Sequence, residues 1–389
     1  MAGNTRSSKK AGHPTGVAAA RARKNRKITI FFIEIVIILA MLGILWLVMD
    51  RTEDAQGLLY TDTTQMDPVE LKISEVVTQQ AEEGGSMAGY LNIALFGIDA
   101  MSDNSSDLLK GYRSDSIMIA SINQDTYEVK LVSVYRDTYL NLSNDTYSKC
   151  NSAYAKGGAQ QAVSMLNANM DMDITNWVSV SYKALITSID DLGGIYIDVD
   201  GAELEHINNY QISIAKALKM GENNYTPVTT TGYQRLNGLQ ASAYCRIRYT
   251  AGDDFKRAER QREVLQAMMD AAKKADANTL LKFALGDSKD DKDNGVLSYI
   301  YTSLDSDTIA NLLTNISKYN IVAEGGFPEQ NLRTTGTIGS NGSCVIPLNL
   351  TENVIWLHQF LFGDDSYMPS STVTSYSDKI RSDTSKYLN

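Results

Sequence analysis

Five arginines between residues 113 and 257 stand in short polar motifs that interrupt apolar segments: Arg113-Ser114-Asp115, Tyr135-Arg136-Asp137-Thr138, Arg246-Ile247-Arg248 and Asp254-Phe255-Lys256-Arg257. Arginine is rarely buried unless paired, and its planar fork matches phosphate oxygens. The chemistry implied is binding of a multiply charged anion such as a pyrophosphate. Arg246 and Arg248 have no acid within four residues on either side. Gathered with Arg136 and Arg257 they would form a cluster short of counter-charge, which an anionic ligand resolves. Arg257 and Gln261 are one helical turn apart and share a face near a helix N-terminus, where free N–H groups favour anions. Asp99 and Asp115 supply carboxylates of the kind that hold Mg²⁺ together with substrate phosphates. Each motif alone also reads as a structural ion pair, and Lys149 alone as a surface lysine. Lys256, Arg260 and Arg262 are expected on a solvated face.

Other chemistries find little support. The three histidines (His13, His206, His358) are far apart, which argues against a zinc site and a Ser-His-Asp hydrolase. There is no Gly-x-x-x-x-Gly-Lys-Ser/Thr phosphate loop. Three cysteines are too few for a disulfide scaffold. Outside a membrane one pair would oxidise, and Cys150 with Cys245, each beside a charged motif, is the better pair.

The elements that must position these groups are short apolar runs bounded by turn residues. Leu91–Gly97, Ser116–Ile122 and Val129–Val134 read as buried strands, with Asp99 and Arg136 just beyond two of their ends. In open α/β sheets, sites form beyond the carboxyl ends of strands. Ala159–Met170 has helical spacing, Trp177–Ser181 reads as a strand, Tyr182–Leu192 as a helix, and Ile195–Val199 as a strand after Gly193-Gly194. Leu239–Tyr244 suits a short helix, and Phe255–Ala275 a long one opened by Asp254 as cap. Tyr301–Tyr319 and Leu350–Phe362 read as helices. Strands alternating with helices predict an α/β sheet covered on both faces.

The chain has 389 residues, with 36 basic and 46 acidic side chains. Eight of the basic residues and no acid fall in residues 1–27, leaving 28 bases against all 46 acids, a net of −18, for the rest. Residues 28–49 are apolar except for Thr29 and Glu34. As a helix this run would be about 33 Å long, enough to cross a bilayer. The basic tail in front places the N-terminus in the cytoplasm. The expected organisation is a basic cytoplasmic tail (1–27), a signal anchor (28–49), an extracytoplasmic stalk (50–87), a catalytic domain (88–363) and a flexible Ser/Thr/Asp-rich tail (364–389). An acidic domain repels nucleic acid.

Taken together, NIALFGID (92–99), RSDSIMIA (113–120), LVSVYRDT (131–138), KCNSAYAKGG (149–158), DLGGIYIDV (191–199), LNGLQASAYCRIR (236–248) and DFKRAERQREVL (254–265) resemble the LytR-CpsA-Psr family of bacterial envelope proteins. The likeness covers residues 88–275 and continues more weakly to 363. The resemblance implies a three-layer α/β/α sandwich with a central mixed sheet and a deep apolar pocket for a prenyl chain. It also implies a Mg²⁺-dependent phosphotransfer that moves a glycopolymer, such as teichoic acid or capsular polysaccharide, from a polyprenyl-pyrophosphate carrier to peptidoglycan. By motif position Asp99 and Asp115 match the metal carboxylates. Arg136, Arg246, Arg248, Arg257 and Gln261 match the pyrophosphate ligands, and Arg113, Lys149 and Asn151 further substrate contacts. The alternative is a non-catalytic binder of polyprenyl phosphate that regulates wall assembly. The sequence departs from the family pattern at Met101, at Tyr135 in place of proline, at Cys150 in place of isoleucine, and in extra residues within 102–110.

Overall fold

The computed structural model describes residues 60–61, 71–99, 111–220, 225–248, 253–272, 274–275, 279, 300–305, 308, 311, 315 and 318–388. The basic tail, the apolar run 28–49, Met101 and the extra residues of 102–110 lie outside them.

The described chain opens with a two-residue strand, β1 (Tyr60–Thr61), and a short helix, α1 (Glu75–Glu82). The central strands follow as β2 (Tyr90–Ile98), β3 (Ser114–Asn123) and β4 (Glu128–Val134), then a ribbon of β5 (Tyr139–Asn141) and β6 (Tyr147–Lys149). Next come α2 (Ser152–Met170), β7 (Asn176–Ser181), α3 (Tyr182–Asp191), β8 (Ile195–Val199), α4 (Gly201–Ala217), β9 (Gly232–Leu236), α5 (Gly238–Tyr244) and α6 (Asp253–Ala272). The last elements are β10 (Ile300–Thr302), β11 (Asn320–Phe327), β12 (Arg333–Thr337), β13 (Ser343–Pro347), α7 (Leu350–Phe362) and α8 (Ser371–Thr384).

Seven strands pair in the order β1-β10-β7-β2-β3-β4-β11. β7 runs parallel to β2 and β11 parallel to β4, while β3 is antiparallel to both β2 and β4. The sheet is mixed, as expected. Its topology has a direct consequence: β2, β4, β7 and β11 all end, and β3 begins, at one edge. Strand alternation sends Ala94, Phe96 and Ile98 of β2, Ile117 and Ile119 of β3, and Val132 and Val134 of β4 into one core with α2, α7 and α8. A second core joins α3, β8, α4, β9, α5 and α6 through Ile189, Ile197, Ile207, Leu236, Tyr244 and Val264.

Several expectations need correction. The segment 301–319 is not one helix: Tyr301 lies in β10, which pairs antiparallel with β7. Within the expected loose tail, residues 371–384 form a helix, α8. α8 buries Val373 and Ile380 in the first core. Its cap is fixed by Asp171, which accepts from the Ser370 backbone N–H and hydroxyl at 2.7 Å each. α6 begins at Asp253, so Asp254 lies inside it rather than capping it. α2 starts at Ser152, seven residues before the expected start. A break at Gly157-Gly158, with φ of 68° at Gly158, divides it, and the expected Ala159 start marks its second half.

The cysteines are three buried free thiols, not a bridge. Cys150 sits in the first core and Cys245 in the second. The Cys150 thiol lies 3.2 Å from the Tyr135 and Arg136 carbonyls, and burial pushes its pKa up. Arg260 is also misplaced by pattern. It is 1% exposed, and its Nε donates to Glu203 Oε1 at 2.7 Å. An arginine inside a core is tolerated when such a partner meets it.

His358 on α7 shows how the tail is seated. Its Nε2 lies 2.9 Å from the Met170 carbonyl, and its ring stacks on Tyr367 with centroids 3.5 Å apart. Burial pushes the imidazole down from 6.5 to about 4, against an opposing pull from the Met170 carbonyl. A depressed histidine contributes stability that is present above the unfolded value and lost as pH falls toward the folded one. Unfolding free energy is therefore expected to drop by about 3 kcal/mol from this group between pH 6.5 and 4. Urea titrations across that range test it: His358→Phe should flatten the pH slope, and an unchanged slope would remove the assignment.

Candidate active site

The topology brings the sequence motifs to the edge where β2, β4 and β7 end. Asp99 directly follows β2. Its backbone N–H donates to the Arg113 carbonyl at 2.9 Å, and its Oδ1 accepts from the Arg113 N–H at 2.7 Å. This reciprocal pair closes the gap between β2 and β3 and fixes the Asp99 carboxyl. Burial raises its pKa first, and the neighbouring Asp115 charge raises it further. The Arg113 N–H bond and the Arg113 and Arg246 charges pull the other way. The Arg113 side chain itself is exposed.

Arg136 follows β4 and donates through Nη1 to Asp115 Oδ1 at 2.5 Å, while its Nη2 lies 3.8 Å from Asp137 Oδ2. Lys149 Nζ lies 3.4 Å from the other Asp137 oxygen, so Lys149 joins the edge instead of standing on the surface. Asn151 is 2% exposed, and its N–H donates to the Arg136 carbonyl at 3.1 Å. Its side-chain Oδ1 is buried without a hydrogen-bond partner, an acceptor left for a ligand donor. The departure at Tyr135 has a local cause. A Cβ on Gly326 of β11 would come within 2.3 Å of the Tyr135 hydroxyl, so glycine makes room for the ring, over which the Arg333 guanidinium lies at 4.4 Å.

Arg246 comes from the second core. It lies in the turn closing α5, its N–H donating to the Ala243 carbonyl at 3.0 Å. Its guanidinium carbon lies 5.5 Å from the Tyr182 ring and 5.7 Å from the Tyr210 ring. Among the described residues no carboxylate forms an ion pair with it. Arg257 is 5% exposed on α6. Arg248 and Gln261 are half-buried, two residues beyond Arg246 and one turn beyond Arg257 respectively. Tyr182, the first residue of α3, was not apparent from pattern. It is buried, and its pKa is raised by that burial, then by Asp115, with Arg246 and Arg257 acting in the opposite sense. It therefore stands among groups from both cores. The only sequence signal was its position directly after a strand end.

A second carboxylate close enough to raise the Asp99 pKa makes a pair of the kind that suits a divalent cation with hard oxygen ligands. Asp99 and Asp115 fit Mg²⁺ by that test, although one Asp115 oxygen is engaged by Arg136.

A mixed sheet whose strand ends carry two carboxylates close to arginines from several segments defines an α/β protein with one charged edge. The family model LytR_cpsA_psr family matches residues 55–349, and the chain belongs to that family. Biofilm regulatory protein A of Streptococcus mutans is 30% identical over 186 residues, 46% of this chain and 43% of that protein. The polyisoprenyl-teichoic acid–peptidoglycan teichoic acid transferase TagU of Oceanobacillus iheyensis is 30% identical over 232 residues, 58% of this chain and 62% of that protein. The chain thus spans less than two thirds of the length of these curated relatives. The crystal structure of protein gbs0355 from Streptococcus agalactiae shares the fold with a TM-score of 0.54 at 24% identity, covering 75% of this chain and 92% of that one.

The raised Asp99 carboxyl carries a stability signature. Its favourable contribution is present below the ordinary value of 3.8 and lost as pH rises through the folded value. At pH 7.5 without metal the ionised group therefore costs stability. Asp99→Asn is expected to raise the melting temperature of the metal-free protein and to abolish any further rise on adding Mg²⁺. A lower melting temperature in the variant would contradict the assigned electrostatics.

Proposed function

We propose that the chain is a membrane-anchored phosphotransferase, with its N-terminus cytoplasmic and its α/β/α domain outside. On this reading it moves a glycopolymer from a polyprenyl-pyrophosphate carrier to peptidoglycan. The observation that carries the reading is Arg246, a guanidinium held by two tyrosine rings instead of a carboxylate, beside Asp99, Asp115, Arg136 and Arg257. Cation–π contacts occupy the face of the guanidinium and leave its in-plane N–H fork for phosphate oxygens. The curated name of the Oceanobacillus relative points to the same substrate class.

Arg136, Arg246 and Arg257 bind the pyrophosphate oxygens, with Arg248 and Gln261 extending the cradle and Arg113, Lys149 and Asn151 contacting the substrate further out. Asp99 and Asp115 would hold Mg²⁺, which supplies neutralisation of phosphate charge when bound. The acceptor hydroxyl attacks the sugar-linked phosphorus. A new oxygen–phosphorus bond forms, the bridge to the second phosphorus breaks, the bridging oxygen leaves on the polyprenyl phosphate, and the hydroxyl proton passes to a base. The arginines favour this step because negative charge grows on the departing phosphate within their reach.

A non-catalytic binder of polyprenyl phosphate would use the same arginines. The Arg136–Asp115 pair favours it to the extent that it occupies one carboxylate oxygen. Metal dependence of polymer release from a lipid-linked donor separates the two readings. In that assay, with the full chain, Arg246→Ala is expected to lower the transfer rate by about 10²–10³. Transfer at the wild-type rate would sink the assignment.

A further inference from the structure

A cavity of about 510 Å³ opens where β2 begins and β3 ends, at the end of the sheet opposite the charged edge. At roughly 3.3 Å per strand residue it lies on the order of 25–30 Å from Asp99, too far to hold the reacting phosphates. Its floor is Leu91 and Ile122, register partners across the β2–β3 pair. Two tyrosines, Tyr127 and Tyr319, meet edge to face with centroids 5.5 Å apart, and three amides, Gln124, Asn311 and Asn315, line the rest with Thr308.

Two features mark this as a built site. Tyr127 has φ of 59°, a left-handed conformation that glycine or asparagine adopts with less strain. The turn forces that conformation: Asn123 Oδ1 accepts from the Asp125 and Thr126 N–H groups at 3.0 and 2.9 Å, and the Tyr127 N–H returns to the Asn123 carbonyl at 2.9 Å. The chain nevertheless places a large ring there. The polar groups are also ordered in advance. Lys318 Nζ lies 4.8 Å over the Tyr127 ring and donates to Asn315 Oδ1 at 2.9 Å, and Asn315 Nδ2 donates to Asn311 Oδ1 at 2.7 Å.

We propose that this cavity binds a saccharide unit of a polysaccharide. Its volume suits one or two sugar rings. Aromatic faces meet the C–H faces of a pyranose, and amides that both donate and accept match its hydroxyls. An isoprenoid would leave those amides facing hydrocarbon, and one lysine is a thin partner for a phosphate group. The inference does not rest on the transferase reading, since sugar binding here is read without turnover.

The test is saturation-transfer NMR and titration calorimetry on the full chain. The probes are N-acetylglucosaminyl-N-acetylmuramic acid, a glycosylated polyol-phosphate oligomer, and geraniol as an isoprenoid. Saturable binding of either sugar probe is expected, and which one binds tells a peptidoglycan strand from a glycopolymer. Tyr127→Gly keeps the turn conformation, and Asn311→Ala alters an exposed side chain. Each should weaken sugar binding about tenfold, while Arg246→Ala should leave it unchanged. The proposal is overturned by absence of saturable sugar binding, by wild-type affinity in both variants, by displacement of sugar with geraniol, or by loss of binding in Arg246→Ala.

Discussion

Like charge crowded at one sheet edge is the constraint around which the described fold is arranged. The Asp115 charge helps to raise the Asp99 pKa, after burial, and Arg136 is hydrogen-bonded to Asp115. Arg246, brought in from another part of the chain, lies between aromatic rings. Had Arg246 met a carboxylate, the site would be self-neutral and indifferent to an anion. Rings stabilise the cation less than a carboxylate would, and leave its hydrogen-bond donors available. This arrangement depends on the mixed topology. Because β2, β4 and β7 share a direction and β3 opposes them, four chain segments deliver their polar ends to one place.

Much of this was legible because it is local. Asp99 and Arg136 directly follow short apolar runs, and a strand followed by a charged residue reads the same way in sequence and in space. Arg260 was illegible for the opposite reason. Its partner Glu203 is 57 residues away, and on helical spacing alone the arginine falls with Lys256 and Arg262. Tyr182 and Tyr210 escaped notice likewise, since nothing near either residue announces an arginine above its ring. β11 was hidden by its composition. Glu324 and Gly325-Gly326 interrupt the apolar run, but the glycines are what allow close packing. A Cβ at Gly325 would meet Trp356 at 3.0 Å, and one at Gly326 would strike Tyr135.

The C-terminal helix makes a related point about polarity. Residues 371–384 are mostly Ser, Thr, Asp and Lys, a composition that suggests a loose tail. α8 enters the core through Val373 and Ile380, two turns apart on one face, with half-buried Tyr376 packed against it. Further support is polar: buried Asp171 holds its cap, and the Ser377 hydroxyl accepts from the Leu350 N–H at 3.1 Å. Burial raises the Asp171 pKa, and the Ser370 hydrogen bonds oppose that rise. A helix seated largely by polar contacts and so few apolar side chains lies below the threshold of periodicity, which weighs apolar positions alone.

The charged edge also lies along the seam between the two cores. Asp99, Asp115 and Arg136 are carried by the sheet, whereas Arg246 and Arg257 are carried by α5 and α6 of the second core. Tyr182 stands at the junction, following the last residue of β7 and opening α3, and the charges around its phenol come from both sides. An anion bound there would touch residues of both cores at once, so its binding energy would add to the cohesion between them. Without it, like charges at the edge, carboxylate against carboxylate and guanidinium against guanidinium, retain part of their repulsion. The division of the site's charged residues between two cores thus couples occupancy of the site to the integrity of the seam, because neither core alone holds all of them.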